Sequence, residues 1–434
     1  MYKILFSVFI LCSCQAFSQV QEFKLDNGLK ILIKEDHRAP IAVSMIWYNV
    51  GSADEPGGMT GVSHAIEHMM FKGTTQFPLG VFSKTIASLG GQENAITSHD
   101  YTMYFEKVAA NQLETCFALE ADRMNHLLLD ADEFAKEIKV IQEERRLRTD
   151  DNPQALTFER FLATAHLASA YNHPVIGWTS DLKNMTVTDL KHWYQRYYAP
   201  NNATLVVVGD VQAEQVLALA KKYFAVLPQK KLPVRKTQQE PPLLGPKKVV
   251  IHRKGTLPLL LIGYTVPAVN TAKIAWEPYA LELIAGLLDA GNSARLTKHL
   301  IRQQGLASAT DTYYNLYSRY QTQFIVYGTP NSQHTLKELQ SGLLHELDEL
   351  KKQPVSLTEL QRIKNQIIAQ KTFEQDSIFD QAMALGLLET IGLGWQRQSE
   401  YNEAIQKITP QQIQAVAQHY FRKNNRTIAE LNAL

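Results

Sequence analysis

Gly61-Val-Ser-His-Ala-Ile-Glu-His-Met-Met-Phe-Lys-Gly-Thr74 contains the pattern His64-x-x-Glu67-His68. Read as a helix, residues advance by about 100° each, so histidines four apart lie within roughly 40° of each other on one face. One turn of rise separates them, which suits two imidazoles meeting one tetrahedral Zn²⁺. Glu67 projects from the same end of that face, near the open side such a metal would present. There it can take a proton from an attacking water. The bland alternative is an exposed helix turn that happens to carry two histidines and a glutamate. A third ligand found independently would decide against it.

That ligand is expected on the helix predicted over Ala131–Arg148, whose buried stripe is marked by Phe134, Ile138 and Ile141. Glu137 and Glu144 are seven apart, so they fall within about 20° on one face, bracketing Val140 and Ile141. Two carboxylates on the apolar side of a helix are costly unless a cation or hydrogen bonds compensate. A zinc ion supplies that compensation. Glu143 lies about 120° round from Glu137 and is expected in water or paired with a neighbouring Arg. Glu144 also reads as one more charge in the run Glu143-Glu-Arg-Arg146. Beside the His64/His68 pair, ligation is the stronger reading. The order H-x-x-E-H is the inverse of the H-E-x-x-H arrangement of zinc peptidases.

Residues 1–18 have the make-up of an export signal. Lys3 supplies the positive end, Ile4 to Cys12 the apolar stretch, and Ala16-Phe-Ser18 a small-x-small cleavage site. The apolar run is too short for a permanent span, and no other stretch is long enough. A second reading makes Leu11-Cys-Ser-Cys14 a lipid-attachment box with Cys14 as the acceptor. Cleavage after residue 18 leaves Cys116 alone in the mature chain, so no internal disulfide can form and stability must come from burial. The 44 Lys and Arg balance 43 Asp and Glu. That neutrality argues against nucleic acid or an anionic membrane surface as the main partner.

A length of 434 residues points to at least two domains. The proline-rich polar stretch Leu227–Pro242 reads as a linker, giving a first half over 19–228, a linker over 229–246 and a second half over 247–434. Tyr197-Tyr-Ala-Pro-Asn-Asn-Ala-Thr-Leu205 matches Tyr420-Phe-Arg-Lys-Asn-Asn-Arg-Thr-Ile428 at an offset of 223. Thr186 and Thr409 keep that offset, each capping a predicted helix. A shared cap, helix and strand at one offset indicate duplication. Strands are predicted over Leu29–Glu35, Ile41–Tyr48, Thr102–Val108 and Ala203–Gly209. Helices are predicted over Gly61–Phe71, Val81–Leu89, Asn111–Leu129, Ala131–Arg148, Val187–Tyr197 and Ala213–Phe224. The expected fold class is α+β, with two duplicated layers of sheet and helix.

On these residues the chain resembles the pitrilysin/insulinase family of zinc peptidases, in the short bacterial form akin to mitochondrial processing peptidase subunits. His64-Ala-Ile-Glu-His68 with its flank Met-Met-Phe-Lys-Gly-Thr matches the family signature. The resemblance implies one Zn²⁺ per chain on His64, His68 and Glu144, with Glu67 as the base and Glu137 as an accessory acid. Gly90–Thr102 resembles the family's edge strand. This implies a peptide substrate added as an extra strand, with Asn94 and Ala95 as contacts. An exposed edge presents unpaired N–H and C=O groups that an extended peptide can satisfy whatever its side chains. The alternative for Gly90–Ser98 is a turn and an inner strand.

The second half has no H-x-x-E-H, and the resemblance implies that it closes over the first as a clamshell to form a chamber. Family members often have an Arg and a Tyr there that hold the substrate carbonyl. Here, in Leu300-Ile-Arg-Gln-Gln-Gly-Leu-Ala-Ser308, Ile301 and Ser308 stand at those positions, with Arg302 one residue off and Tyr313 or Tyr314 as substitutes. This departure implies a dimer. Either a related zinc-less chain supplies the missing pair, or the chain works as a homodimer. The expected location is outside the cytoplasm, in the periplasm. A non-catalytic peptide-binding subunit is the rival function.

Overall fold

Two β-branched and aliphatic runs, Ile41–Tyr48 and Ala203–Gly209, are buried along almost their whole length. Such runs belong in the middle of a sheet covered on both faces, and the computed structural model has them there. It describes residues 19–236 and 238–434. The leader and Cys14 therefore lie outside the described residues.

The first half comprises β1 (Gln21–Lys24), β2 (Lys30–Glu35), β3 (Ile41–Tyr48), α1 (Val62–Met69), α2 (Val81–Ser88), β4 (Gln92–Thr97), β5 (Thr102–Ala109), α3 (Leu113–His126) and α4 (Ala131–Arg145). It continues with α5 (Pro153–Ala165), α6 (Thr179–Asn184), α7 (Val187–Tyr197), β6 (Ala203–Gly209) and α8 (Ala213–Phe224). The second comprises β7 (Lys247–Arg253), β8 (Leu259–Val266), α9 (Glu277–Asp289), β9 (Ala307–Tyr313), β10 (Thr322–Pro330) and α10 (Leu336–Lys352). It ends with α11 (Leu357–Glu374), α12 (Ile378–Thr390), α13 (Arg397–Lys407), α14 (Pro410–Tyr420) and β11 (Arg426–Ala433).

The sheets run β1-β2-β6-β3-β5-β4 and β7-β11-β8-β10-β9. In each, the strand pairing is one parallel contact followed by three antiparallel ones, β2–β6–β3–β5–β4 against β7–β11–β8–β10–β9. The duplication inferred from the Asn-Asn match is thus repeated in topology. Thr186 and Thr409 both cap their helices, closing capping boxes with Asp189 and Gln412. β4 lies at an edge of the first sheet rather than inside it.

Period-two alternation divides each sheet's side chains between two cores. On β2 and β6, Ile31, Ile33, Leu205 and Val207 face the helices of their own half. Leu32, Val206 and Val208, with Met45 and Trp47 of β3, instead meet Ala382 and Leu385 of α12, from the other half. The second sheet repeats the arrangement in reverse. Leu259, Leu261, Ile325, Ala429 and Leu431 are covered by Phe161 and Ala165 of α5. The halves therefore exchange one helix each. Fully burying a residue such as Phe161 contributes roughly 1.5–3 kcal/mol. Glycine permits the contacts at both crossings. A Cβ on Gly263 would lie 2.3 Å from the Phe161 ring, and one on Gly386 2.1 Å from Trp47.

The structure departs from the periodicity reading at several places. No element was expected over 153–165, where α5 stands with Asn152 as its cap and Pro153 in its first turn. The helix predicted to reach Arg148 ends at Arg145 and widens into a π turn over Arg146–Asp150. Arg145 is buried there, bonded to Glu159 and to the Gly177 carbonyl, and this ties down the helix end. Val140, expected beside the apolar stripe, is half exposed, whereas Phe134, Glu137 and Ile141 are buried.

Candidate active site

Gly61, at the start of α1, has φ +92°, and a Cβ there would lie 2.5 Å from the Ile176 carbonyl oxygen. Glycine lets the chain turn sharply into the helix. Glu55 accepts from the N–H groups of Gly61 (2.7 Å) and Ser63 (2.8 Å), satisfying two open donors of the first turn. From this anchored start, His64 and His68 project one turn apart, with ring centroids 4.6 Å from each other.

α4 packs alongside α1 and brings up Glu144. Its Oε2 is 3.9 Å from His64 Nε2 and 3.3 Å from His68 Nε2. One donor atom from each of the three lies within 4.8 Å of the others. Two bonds of about 2.0–2.1 Å at a tetrahedral angle hold their donors roughly 3.4 Å apart. The observed spacings bracket that value. Two neutral imidazoles and a carboxylate are also the donor set of an open, three-ligand zinc site. The residues present fit the ion.

The surroundings act on each ligand differently. Burial and the neighbouring His68 ring push the His64 imidazole down to about 4, leaving it neutral at pH 7. Burial acts the same way on His68, but bonds to Glu144 and Glu137 outweigh it and hold the ring above its usual range. His68 bonds hold the Glu144 carboxyl below the usual range, against burial. Arg148 pairs with the other Glu144 oxygen at 2.6 Å.

Glu137, read as an accessory acid, sits behind His68. Its Oε1 is 2.8 Å from His68 Nδ1 and its Oε2 is 2.5 Å from Lys72 Nζ. With Nδ1 engaged, Nε2 is the ring atom left facing Glu144. A carboxylate in this position fixes the tautomer and orientation of a metal-binding histidine. Lys72 was not singled out from the sequence. Its signal was present, four residues after His68 on the signature's flank. Glu143 pairs with Arg146 on the surface at 2.6 Å, as its angle on the helix implied.

Glu67 is largely buried, and that burial raises its carboxyl above the usual range despite hydrogen bonding from Thr97. The Thr97 hydroxyl donates to Glu67 Oε2. Thr97 is the last residue of β4 and also escaped the sequence reading. Asn94 and Ala95 lie further along β4, opposite Phe105 and Tyr104. The Asn94 side chain accepts from the Ala95 N–H at 2.9 Å.

In the second half, Ile301 packs into that half's core, and the Ser308 hydroxyl donates to the Thr329 carbonyl at 3.3 Å. Arg302 is exposed. The Tyr314 hydroxyl donates to the Pro267 carbonyl at 2.7 Å. Tyr313 instead lines a cavity of about 310 Å³ shared with Ser98 and His99, the two residues that follow Thr97.

Two family descriptions match the chain. Residues 30–177 match the insulinase peptidase family M16, and residues 184–367 match the M16 inactive domain. The zinc protease PqqE of Helicobacter pylori is 33% identical over 345 residues, which is 78% of this chain and 76% of the relative. The uncharacterized zinc protease YmxG of Bacillus subtilis is 24% identical, over 80% and 82% of the two chains. The crystal structure of a protease from Helicobacter pylori superposes with a TM-score of 0.91 at 30% identity, covering 96% of this chain and all of that one. An M16-like peptidase from Alicyclobacillus acidocaldarius shares the fold at TM-score 0.83 and 18% identity, covering 96% of this chain and 99% of the other.

Proposed function

Because this chain belongs to the M16 family of zinc peptidases, we propose that it is a zinc-dependent endopeptidase, with one Zn²⁺ held by His64, His68 and Glu144. The observation that carries the reading is the position of Glu67. It lies on the same helix turn as the two histidines and is bonded to the end of an edge strand. A storage or sensor site has no use for a buried carboxylate there.

When bound, zinc polarises the scissile carbonyl and makes water a better nucleophile. Glu67 accepts the proton of the attacking water and later passes it to the leaving amine. Glu137 keeps His68 in the tautomer that leaves Nε2 free. The substrate is an extended peptide added to the free edge of β4, its main chain read by Asn94 and Ala95. To pair with the Ala95 N–H it displaces the Asn94 side chain. Tyr313 is the second-half hydroxyl best suited to the substrate carbonyl, since it lines the cavity that reaches Ser98 and His99 in the turn after β4, while Tyr314 is engaged elsewhere. The two halves form the walls of the peptide chamber. The leader over residues 1–18 directs the chain to the periplasm, with Cys14 as the site of any lipid anchor.

One observation favours a second reading, a peptidase completed by a partner. Ile301 and Ser308, which the family resemblance sets where an Arg and a Tyr often stand, are both engaged within their own half. A related chain without zinc ligands would then supply that pair.

Purified chain is assayed for zinc content and for hydrolysis of quenched peptides, with and without chelator. Full activity alone supports the self-sufficient enzyme, as a monomer or homodimer. Zinc without hydrolysis supports the partner-dependent reading. Glu67→Gln retains zinc and loses turnover; turnover that survives the change removes Glu67 as the base.

A further inference from the structure

The geometry points to Thr97 as the positioning residue that ties the peptide-docking edge to the proton-handling carboxylate. This rests on the zinc-peptidase reading above. Its structural basis is the junction at the end of β4.

Glu67 has one helix turn to hold it and could swing about its side-chain torsions. The Thr97 hydroxyl donates to Oε2 and selects one orientation. The hydroxyl is itself fixed. Thr97 pairs with Thr102 of β5, and the next residue closes a tight hairpin through Ser98 N–H to the Tyr101 carbonyl at 2.8 Å. Loop 51–54 buttresses that hairpin. The N–H groups of Ser52 and Ala53 donate to the carbonyls of Ser98 (3.0 Å) and His99 (2.8 Å). The approach is close enough that a Cβ on Gly51 would lie 2.5 Å from the Ser98 oxygen. Asp54, in the same loop, accepts from Arg235 of the linker at 2.5 Å and from Arg319 of the second half at 3.2 Å. The hydroxyl that orients Glu67 thus sits on a strand end held by both halves.

A peptide adding to β4 extends the hydrogen-bonded ladder in which Thr97 is the last residue. Docking and base orientation then share one rigid strand, and the carboxylate is aligned where the scissile bond arrives. Displacement of a catalytic group by about 1 Å costs on the order of 100-fold in rate.

The test compares wild type, Thr97→Val and Thr97→Ser. Valine keeps the shape and removes the donor; serine keeps the donor. For Thr97→Val the expected results are unchanged zinc stoichiometry, KM within about twofold, and kcat lowered by about 10–100-fold. Thr97→Ser restores most of kcat. Crystal structures of the zinc-free proteins give a readout independent of turnover, in which the Glu67 carboxylate keeps its place in wild type and Thr97→Ser and leaves it in Thr97→Val. A Thr97→Val carboxylate superposing on wild type overturns the inference, as does a kcat within twofold of wild type. A wild type that binds zinc but cleaves nothing counts against the peptidase reading instead, and the crystal comparison still decides the positioning role.

Discussion

Replacing Glu137 by alanine tests whether the site is prepared from behind as well as from the ligands themselves. The change removes the 2.8 Å contact to His68 Nδ1 and leaves Lys72 without its 2.5 Å partner. His68 then loses the group that favours the tautomer with Nε2 free. Losing such a support typically weakens metal binding by about 10–100-fold. By the tenfold-per-1.4 kcal/mol rule this is about 1.4–2.8 kcal/mol. Glu137 is buried, so leaving His68 and Lys72 without it also lowers folding stability, by about 1–3 kcal/mol. Glu143→Ala on the same helix is the control, because Glu143 pairs with Arg146 at the surface. The assay is competition for zinc against a chromophoric chelator at fixed pH and ionic strength. A zinc Kd within twofold of wild type for Glu137→Ala would refute the reasoning, as would an equal loss for Glu143→Ala.

Two further predictions concern the fold that presents the site. Gly386→Ala in a free helix would gain up to about 1 kcal/mol from helix propensity. Against Trp47 the new methyl must push α12 off the first sheet, so the net effect is a loss of about 1–3 kcal/mol, read as a lower denaturation midpoint; a stabilised variant would contradict the helix exchange. Glu240 of the linker is held at about 2, because contact with His166 and the N–H groups of Leu167, Ala168 and Ser169 outweigh burial. A lowered folded-state value contributes stability above the ordinary carboxylate range and loses it as pH falls toward 2. Glu240→Gln is therefore expected to lower the melting temperature at pH 7 by about 2–5 °C and to narrow the gap to wild type at pH 3; a gap that widens on acidification would reverse the sign.

Local signals in the sequence reached much of this arrangement. The spacing of His64 and His68 follows from one helix, and the 137/144 spacing from another, so each pair was legible without knowing how the helices meet. The strands Ile41–Tyr48 and Ala203–Gly209 have the expected bounds because their β-branched runs end at turn residues. The Thr186 and Thr409 caps stand out for the same reason. What escaped depends on contacts between distant segments. α5 covers a surface that belongs to the other half, a contact between distant segments that its own stretch of sequence does not announce. Lys72 has meaning only once Glu137 is brought beside it. Thr97 reads as one more β-branched strand residue until the strand's end is seen to meet Glu67. Glu137 shows the limit of the one-dimensional view, since its burial was foreseen but not its contacts with His68 and Lys72.

The central claim is that four side chains from two helices surround one zinc ion. Anomalous diffraction from zinc-loaded crystals, recorded on either side of the zinc edge, tests it most directly. The account predicts one strong peak per chain within bonding distance of His64 Nε2, His68 Nε2 and the Glu144 carboxylate, with the Glu67 carboxylate beside it and outside bonding distance. A peak elsewhere, or a stoichiometrically loaded protein with no peak between those three groups, would contradict it.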